Sequence, residues 1–332
     1  MARKKLRVAI ARFWTGATVD EIAALILPDL RPYFDFEASD RPQLLLYGPY
    51  AGPVPRGDAV KVFIGCENLL PIMEDCDWAF GVVHEDHFPH PRYMRLARWG
   101  DDSGLIQKDK DWSAVLGAKR RFCAFLYASE MPYREAFCRA LRRYKPVDAP
   151  GRSMNNMPSI DPVPGTVDWS AKIAFLSTYK FVIAFENGSR AGYNTEKLTH
   201  AIEADCVPIY WGDPEIGRSF NTRRFIDGRR YLPAPFPHLP RLYRGHALAS
   251  ADPPRFLDRA RRRFDREARL LEQRVWSLRG FDRLIERLIE VDRDDALYLQ
   301  HLREPFFVGN KQPDRTRWVA RWSEILDAAA AR

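Results

Sequence analysis

The sequence predicts an α/β protein of two doubly wound halves, with helices towards its C-terminal end. Short apolar runs recur at Leu44–Tyr47, Val60–Ile64, 181–185 and Val207–Trp211, as expected of parallel strands buried on both faces. From Arg121 onward such runs alternate with segments of helical period, the order of a parallel, doubly wound sheet. A chain of 332 residues suits two domains, at roughly 100–200 residues each. The polar, aperiodic stretch 100–119 (GDDSGLIQKDKDWSAVLGAK) separates the halves. The expected domains are therefore 1–115 and 116–300, followed by a helical extension at 301–332.

In chain order, residues 6–13 alternate like a strand. Thr18 and Glu21 are spaced as a capping box, opening a helix with Ile22, Ala23, Leu25 and Ile26 that Pro28 ends. Strands follow at 44–47, 60–64 and 78–82, with helices between them poorly marked. The second half is predicted to contain a strand at 122–127 and a helix at 132–144 with Phe137, Ala140 and Leu141 on one face. An extended piece at Val147, a helix at 168–178 and an edge strand at 224–226 complete it. Residues 255–288 read as a basic helical region broken near Gly280, with eleven Arg against six acids. Those interspersed acids favour a solvated face over a nucleic-acid or membrane surface. Residues 318–331 read as a short amphipathic helix with a frayed, Ala-rich end.

The chain is organised around residues 181–214, FVIAFENGSRAGYNTEKLTHAIEADCVPIYWGDP. A strand leads into a loop with Gly188 and Gly192, then a helix capped by Asn194 or Thr195, then a second strand. Asp213-Pro214 reads as the cap and first residue of another helix. Ligands of such units collect beyond the carboxyl ends of the strands, an edge that here carries Glu186, Asn187, Tyr193, Glu196 and Lys197. Lys197 sits in the first turn of its helix, where the backbone dipole disfavours a cation by ~0.3–1 kcal/mol. Loose N–H groups with a lysine suit an anion such as phosphate; a single such lysine is more often solvated, or paired here with Glu196 or Glu203. Arg134, after Pro132, repeats the arrangement. Two cations at two helix ends suggest a diphosphate clamp. Tyr193 and Asn187 add groups suited to ribose or phosphate. Glu67, following the strand at 60–64, can act as a general base if the two sheets share a cleft; on its own it is an ordinary loop glutamate.

Composition narrows the partners. A formal charge of +8 and a pI near 9.3 favour an acidic partner such as a nucleotide, nucleic acid or anionic membrane. Five cysteines without close pairs suggest reduced thiols in a cytoplasmic protein. No apolar run reaches the ~18 residues of a membrane span. Asp75-Cys76-Asp77 is a weak match to a paired-aspartate metal motif. His84-Glu85-Asp86-His87 with His90 crowds ligand-type residues without HExxH spacing. Neither a Walker A sequence nor GxGxxG after a strand is present. No metal site is expected.

The segments FEN, GYxTEK (here GYNTEK) and PIYWGxP, followed by Phe220-Asn221, resemble the core motif of the family 10 α-1,3/4-fucosyltransferases. The likeness is strongest over 181–227 and extends from about residue 60. The resemblance implies a GT-B fold, two Rossmann-like domains facing across a cleft, with the nucleotide sugar held mainly by the C-terminal one. It implies an inverting, metal-independent transfer of L-fucose from GDP-fucose to a hydroxyl of N-acetylglucosamine or glucose, a divalent ion stimulating only indirectly. Carried over by motif, Lys197 and Arg134 (in MPYREAF) resemble the diphosphate contacts. Asn187, Tyr193 and Glu196 resemble donor-site residues, and Glu67 in GCENLLP matches the segment holding the base. The acidic residue that often follows that asparagine is Leu69 here. Bacterial members act on surface glycans from the cytoplasmic side, implying an oligosaccharide, lipid-linked or polysaccharide acceptor; the basic helix at 255–288 is then a candidate for peripheral contact with the inner membrane face. The alternatives are the same fold with another GDP-deoxysugar, a nucleic-acid-binding protein using 255–288, and an inactive glycan-binding module. No nucleic acid is expected as partner.

Overall fold

The computed structural model describes residues 3–14, 16–50, 52, 57–96, 103–160, 169–232, 271, 275 and 280–332. Two parallel sheets organise them. The first contains β1 (Lys4–Ala11), β2 (Phe34–Ala38), β3 (Leu44–Tyr47), β4 (Val60–Ile64), β5 (Trp78–Gly81) and β6 (Tyr93–Arg95), in the order β2-β1-β3-β4-β5-β6. The second contains β7 (Arg121–Ala124), β8 (Val147–Asp148), β9 (Tyr179–Phe185), β10 (Val207–Trp211) and β11 (Ile226–Asp227), in the order β11-β10-β9-β7-β8. All neighbouring strands run parallel. In the second sheet the order reverses between β7 and β9, and a doubly wound sheet opens a crevice at the carboxyl end of that switch point.

The first sheet follows its sequence alternation. Leu44, Leu46, Val60, Val62, Ile64 and Phe80 face one core, whereas Tyr47, Phe63 and Ala79 face another. Helix α1 (Val19–Ile26) joins the first of these cores. It opens with the expected capping box: Glu21 N donates to Thr18 Oγ1 at 3.2 Å, and Thr18 N donates to Glu21 Oε2 at 2.9 Å. Among the described residues no helix lies between β3 and β6, which explains why none was marked in the sequence. Part of the missing cover comes from α8 (Thr316–Ala330), whose Trp322, Ile325, Leu326 and Ala329 enter the same core as Leu6, Val8 and Phe80. The Trp322 ring stacks on Phe80 at 4.6 Å. The helix runs unfrayed to Ala330, with Ala329 wholly buried and Ala328, Ala330 and Ala331 exposed.

The second sheet is covered on both faces. Helices α3 (Pro132–Leu141), α6 (Asp282–Arg293) and α7 (Asp295–Arg303) share a core with Phe181, Ile183, Phe185, Val207, Ile209 and Trp211. Helices α4 (Ser170–Leu176) and α5 (Glu196–Glu203) pack on the alternate side chains Val182, Ala184 and Tyr210. The polar stretch at the expected boundary contains a short helix, α2 (Trp112–Gly117), capped by Asp111; its stripe of Trp112, Val115 and Leu116 packs half-buried against the core of the second sheet and is too short to show as a sustained period. β2 and β6 have no matching apolar run in the sequence. Asp213-Pro214 does not begin an α-helix: a 3₁₀ turn follows at Ile216–Arg218, and Asp213 Oδ1 accepts from Glu215 N at 2.8 Å. Most of the basic region 255–288 lies outside the described residues. Of its remainder, Gly280 has φ 72° and α6 starts at Asp282. Among the described residues no helix is long and apolar enough to cross a membrane.

Candidate functional site

The switch point of the second sheet brings the loop after β7 beside the loop after β9. Helix α3 carries Arg134 there, and β9 runs directly into Glu186 and Asn187. Arg134 Nη1 donates to Asn187 Oδ1 at 2.8 Å and Nη2 donates to Ser129 O at 2.7 Å. The guanidinium lies 3.9 Å from the centroid of the Tyr127 ring, a cation–π contact. Arg134 is 1% exposed and its Nε is buried without a hydrogen-bond partner. The arginine therefore spans the two loops and fixes the amide of Asn187.

Glu186 is wholly buried. Its carboxylate accepts from Thr195 N at 2.7 Å and from Thr195 Oγ1 at 2.8 Å, tying the end of β9 to the N-cap of α5. Thr195 Oγ1 accepts in turn from Lys197 Nζ at 2.9 Å. Lys197 Nζ also stands 3.5 Å from Glu186 Oε2 and 3.6 Å from Glu196 Oε1. The lysine at the helix N-terminus is thus held between two carboxylates, which offsets the unfavourable dipole. Burial would lower its pKa, but Glu196 and Glu186 outweigh that and raise it, with Arg134 opposing and Glu67 adding. Burial alone would raise Glu196; Lys197, Lys172 and His200 overcome it and hold the carboxyl at about 2. Glu196 sits within this cationic group while its side chain is still 43% exposed, so a ligand can reach it. Glu186 is raised by burial, with Lys197 opposing.

Tyr193 is wholly buried against Val82 and Val83 of the first half. Its hydroxyl has no hydrogen-bond partner, and burial together with Glu186, Glu67 and Glu196 pushes its pKa well up. The tyrosine crosses the seam between the two sheets, packing in one half and facing the carboxylates of the other.

Glu67 follows β4 in the first sheet, yet its charge acts on Lys197 and Tyr193 of the second. The contact between halves is close. A Cβ placed on Gly188 would lie 2.8 Å from Asn68 Nδ2, so this loop approaches the residue beside Glu67 because glycine has no side chain. Burial, with Cys66, Glu67 and Glu196 nearby and a hydrogen bond to Glu67, pushes the Tyr50 hydroxyl well above its ordinary value. Burial and the Glu67 charge lift the Cys66 thiol to about 12, which keeps it a neutral thiol.

All six residues singled out in the sequence thus belong to one electrostatic neighbourhood. Arg134 and Asn187 are bonded, Lys197 and Glu196 are paired, and Tyr193 and Glu67 join them across the seam. The sequence assigns no role to Glu186 or Lys172. Glu186 is legible in hindsight as a charged residue ending an apolar run, where only a paired carboxylate tolerates burial. Lys172 lies on α4 with its Nζ 5.2 Å from the Trp169 ring centroid; one lysine in a short helix carries no such signal.

The two weak metal candidates do other work. Asp77 Oδ2 accepts from Lys61 N at 2.8 Å, bracing β4. His87 Nε2 pairs with Glu215 Oε1 at 2.8 Å, and His90 Nδ1 accepts from Arg92 N at 3.2 Å. Among the described residues no three His, Cys, Asp or Glu side chains are grouped to hold a metal ion.

Residues 117–234 match the family model described as glycosyltransferase family 10 (fucosyltransferase) C-term. The Helicobacter pylori alpha-(1,3)-fucosyltransferase is 36% identical over 265 residues, covering 67% of this chain and 53% of that protein. A Bos taurus GDP-fucose protein O-fucosyltransferase 3 is 35% identical over 85 residues, 25% of this chain and 18% of that protein. The chain therefore spans about half or less of these relatives. A solved alpha1,3-fucosyltransferase with GDP-fucose superposes with a TM-score of 0.63 at 21% identity, covering 98% of this chain and 92% of that one, which shows the GT-B fold. Residues 117–234 are thus a glycosyltransferase family 10 domain.

Proposed function

We propose that the protein is an inverting fucosyltransferase moving L-fucose from GDP-fucose to a hydroxyl of an N-acetylglucosamine or glucose unit in a glycan. The observation that carries this reading is Lys197 held between Glu186 and Glu196 at the N-terminus of α5, on the side where the Gly188 loop meets Asn68, the neighbour of Glu67. Inversion by one displacement needs a carboxylate on the acceptor side and positive charge where the diphosphate leaves. Glu67 takes the proton of the acceptor hydroxyl. Lys197 and Arg134 offset the charge growing on GDP, and Asn187 and Tyr193 bind donor groups. Glu196, ionised down to about pH 2, stabilises the positive charge developing on the sugar. No step in this scheme requires a metal ion.

In this reading residues 1–115 bind acceptor, 116–300 bind donor, and 301–332 form a helical extension. The acceptor is an oligosaccharide, lipid-linked or polysaccharide glycan. The +8 charge and free thiols among the described residues support a cytoplasmic location with peripheral contact to an anionic membrane face. Thermal melting with GDP, UDP, TDP and CMP in parallel tests the donor. At 100 times Kd the stabilisation is ~2.7 kcal/mol, and it is expected with GDP alone. A shift with UDP or TDP and none with GDP overturns the reading. Turnover with a different GDP-deoxysugar and none with GDP-fucose replaces the donor sugar and keeps the site.

A further inference from the structure

The seam between the halves is held at one point by a residue that the scheme above does not use. Arg95, the last residue of β6, sends its guanidinium three ways. Nε donates to Val82 O at 3.2 Å within its own half, Nη1 donates to Ser219 Oγ at 3.1 Å, and Nη2 donates to Gly192 O at 3.3 Å. The last two acceptors belong to the other half. Gly192 lies in the loop between β9 and α5, immediately before Tyr193.

That glycine is clamped from every side. Its N–H donates to Asp213 Oδ1 at 2.9 Å, and its carbonyl accepts from Asn194 Nδ2 at 3.1 Å as well as from Arg95. Its φ is +87°, and a Cβ there would lie 2.3 Å from Val82 O, so no other residue fits this backbone. The peptide is thus pressed onto the end of β5. The next side chain, Tyr193, enters the space against Val82 and Val83.

We propose that Arg95 is a positioning residue that sets the alignment of the two halves at the site. By holding the Gly192 peptide against β5, it fixes where Tyr193, Glu196 and Lys197 stand relative to Glu67. A planar guanidinium with five donors can serve three acceptors at once, which a lysine cannot do with the same geometry. The proposal rests on the functional reading above, and its test separates the two.

Two reactions of GDP-fucose make different demands on the alignment. In transfer, the acceptor oxygen bonds to the anomeric carbon, the bond to the diphosphate oxygen breaks, and the acceptor proton goes to Glu67. In hydrolysis, water replaces the acceptor, so registry with the acceptor-binding half matters less. Arg95→Ala is expected to reduce transfer on the order of 100-fold, the scale of a misplacement of about 1 Å. GDP affinity should stay within about threefold and hydrolysis should fall far less than transfer, so the transfer-to-hydrolysis ratio drops. Arg95→Lys should recover part of that ratio, and Ser219→Ala, which removes one of three contacts, should lower it modestly. Hydrogen exchange of amides 190–195 gives a readout that needs no turnover: it should speed up at least about tenfold in Arg95→Ala, with or without GDP. An unchanged ratio or unchanged exchange overturns the proposal. If the wild-type protein neither binds GDP nor turns over while the exchange still responds, the functional reading fails and the clamp stands.

Discussion

Lys197 Nζ stands 3.5 Å from Glu186 Oε2, a carboxylate wholly removed from solvent. Removing one partner of a buried pair leaves the other uncompensated, at a cost of ~3–5 kcal/mol. Lys197→Met is therefore expected to lose about that much stability by chemical denaturation, and to lose GDP binding by calorimetry. Adding Glu186→Gln to Lys197→Met should restore most of the stability and none of the GDP affinity. Retention of both properties in the single variant would refute the pairing and the phosphate role together.

Glu67→Gln separates binding from chemistry. The amide keeps the shape of the side chain but accepts no proton, and general-base catalysis contributes ~10²–10⁴-fold. Transfer, followed as GDP release, should fall by that range while GDP still raises the melting temperature as it does in the wild type. Near wild-type turnover would remove Glu67 from the mechanism.

The pH dependence follows from Glu196. Its folded pKa of about 2 lies below the ordinary 4.5, so its stabilising effect is fully present above pH 4.5 and lost as pH falls through about 2. Glu196→Gln should melt below the wild type at pH 6, and the two melting curves should converge as the pH approaches 2. Glu186 has the opposite sign: its raised pKa makes its contribution present below pH 4.5 and lost as pH rises through the folded value. Glu186→Gln should therefore gain on the wild type as pH rises from 4. Parallel Tm–pH curves for wild type and variants would contradict both assignments.

Trp322→Ala tests the C-terminal helix. The ring lies within the core of the first sheet, stacked on Phe80, and Trp→Ala in a core costs ~3–5 kcal/mol. The expected loss appears in denaturant midpoint with GDP affinity unchanged, because the donor residues belong to the other sheet. A loss of less than about 1 kcal/mol would mean that the helix docks without contributing to that core.

The sequence disclosed most where one physical signal dominated. β3 and β10 are apolar throughout, and β4 and β9 apart from Lys61 and Lys180, because both faces are covered, and Thr18 with Glu21 announces α1 through its cap. β2 was hidden because FDFEA is a half-exposed edge strand, and β6 because three residues ending in Arg95 form no apolar run. The cover of the first sheet was illegible locally because part of it comes from α8, far along the chain. At the site, residue types and motif spacing pointed to Lys197, Arg134, Glu67, Tyr193, Asn187 and Glu196. Spacing does not reveal that Glu186 binds Lys197, or that Arg95 bonds to Gly192 O, since those contacts depend on how loops from distant segments meet.

The docking of α8 onto the first sheet has a consequence for biosynthesis. The opening half of the polypeptide leaves the ribosome early but lacks Trp322, Ile325 and Leu326 until the other half has been made. Its apolar face must wait, uncovered or chaperoned, through the translation of everything between. The first sheet, made before the second, gains its last core residues after it.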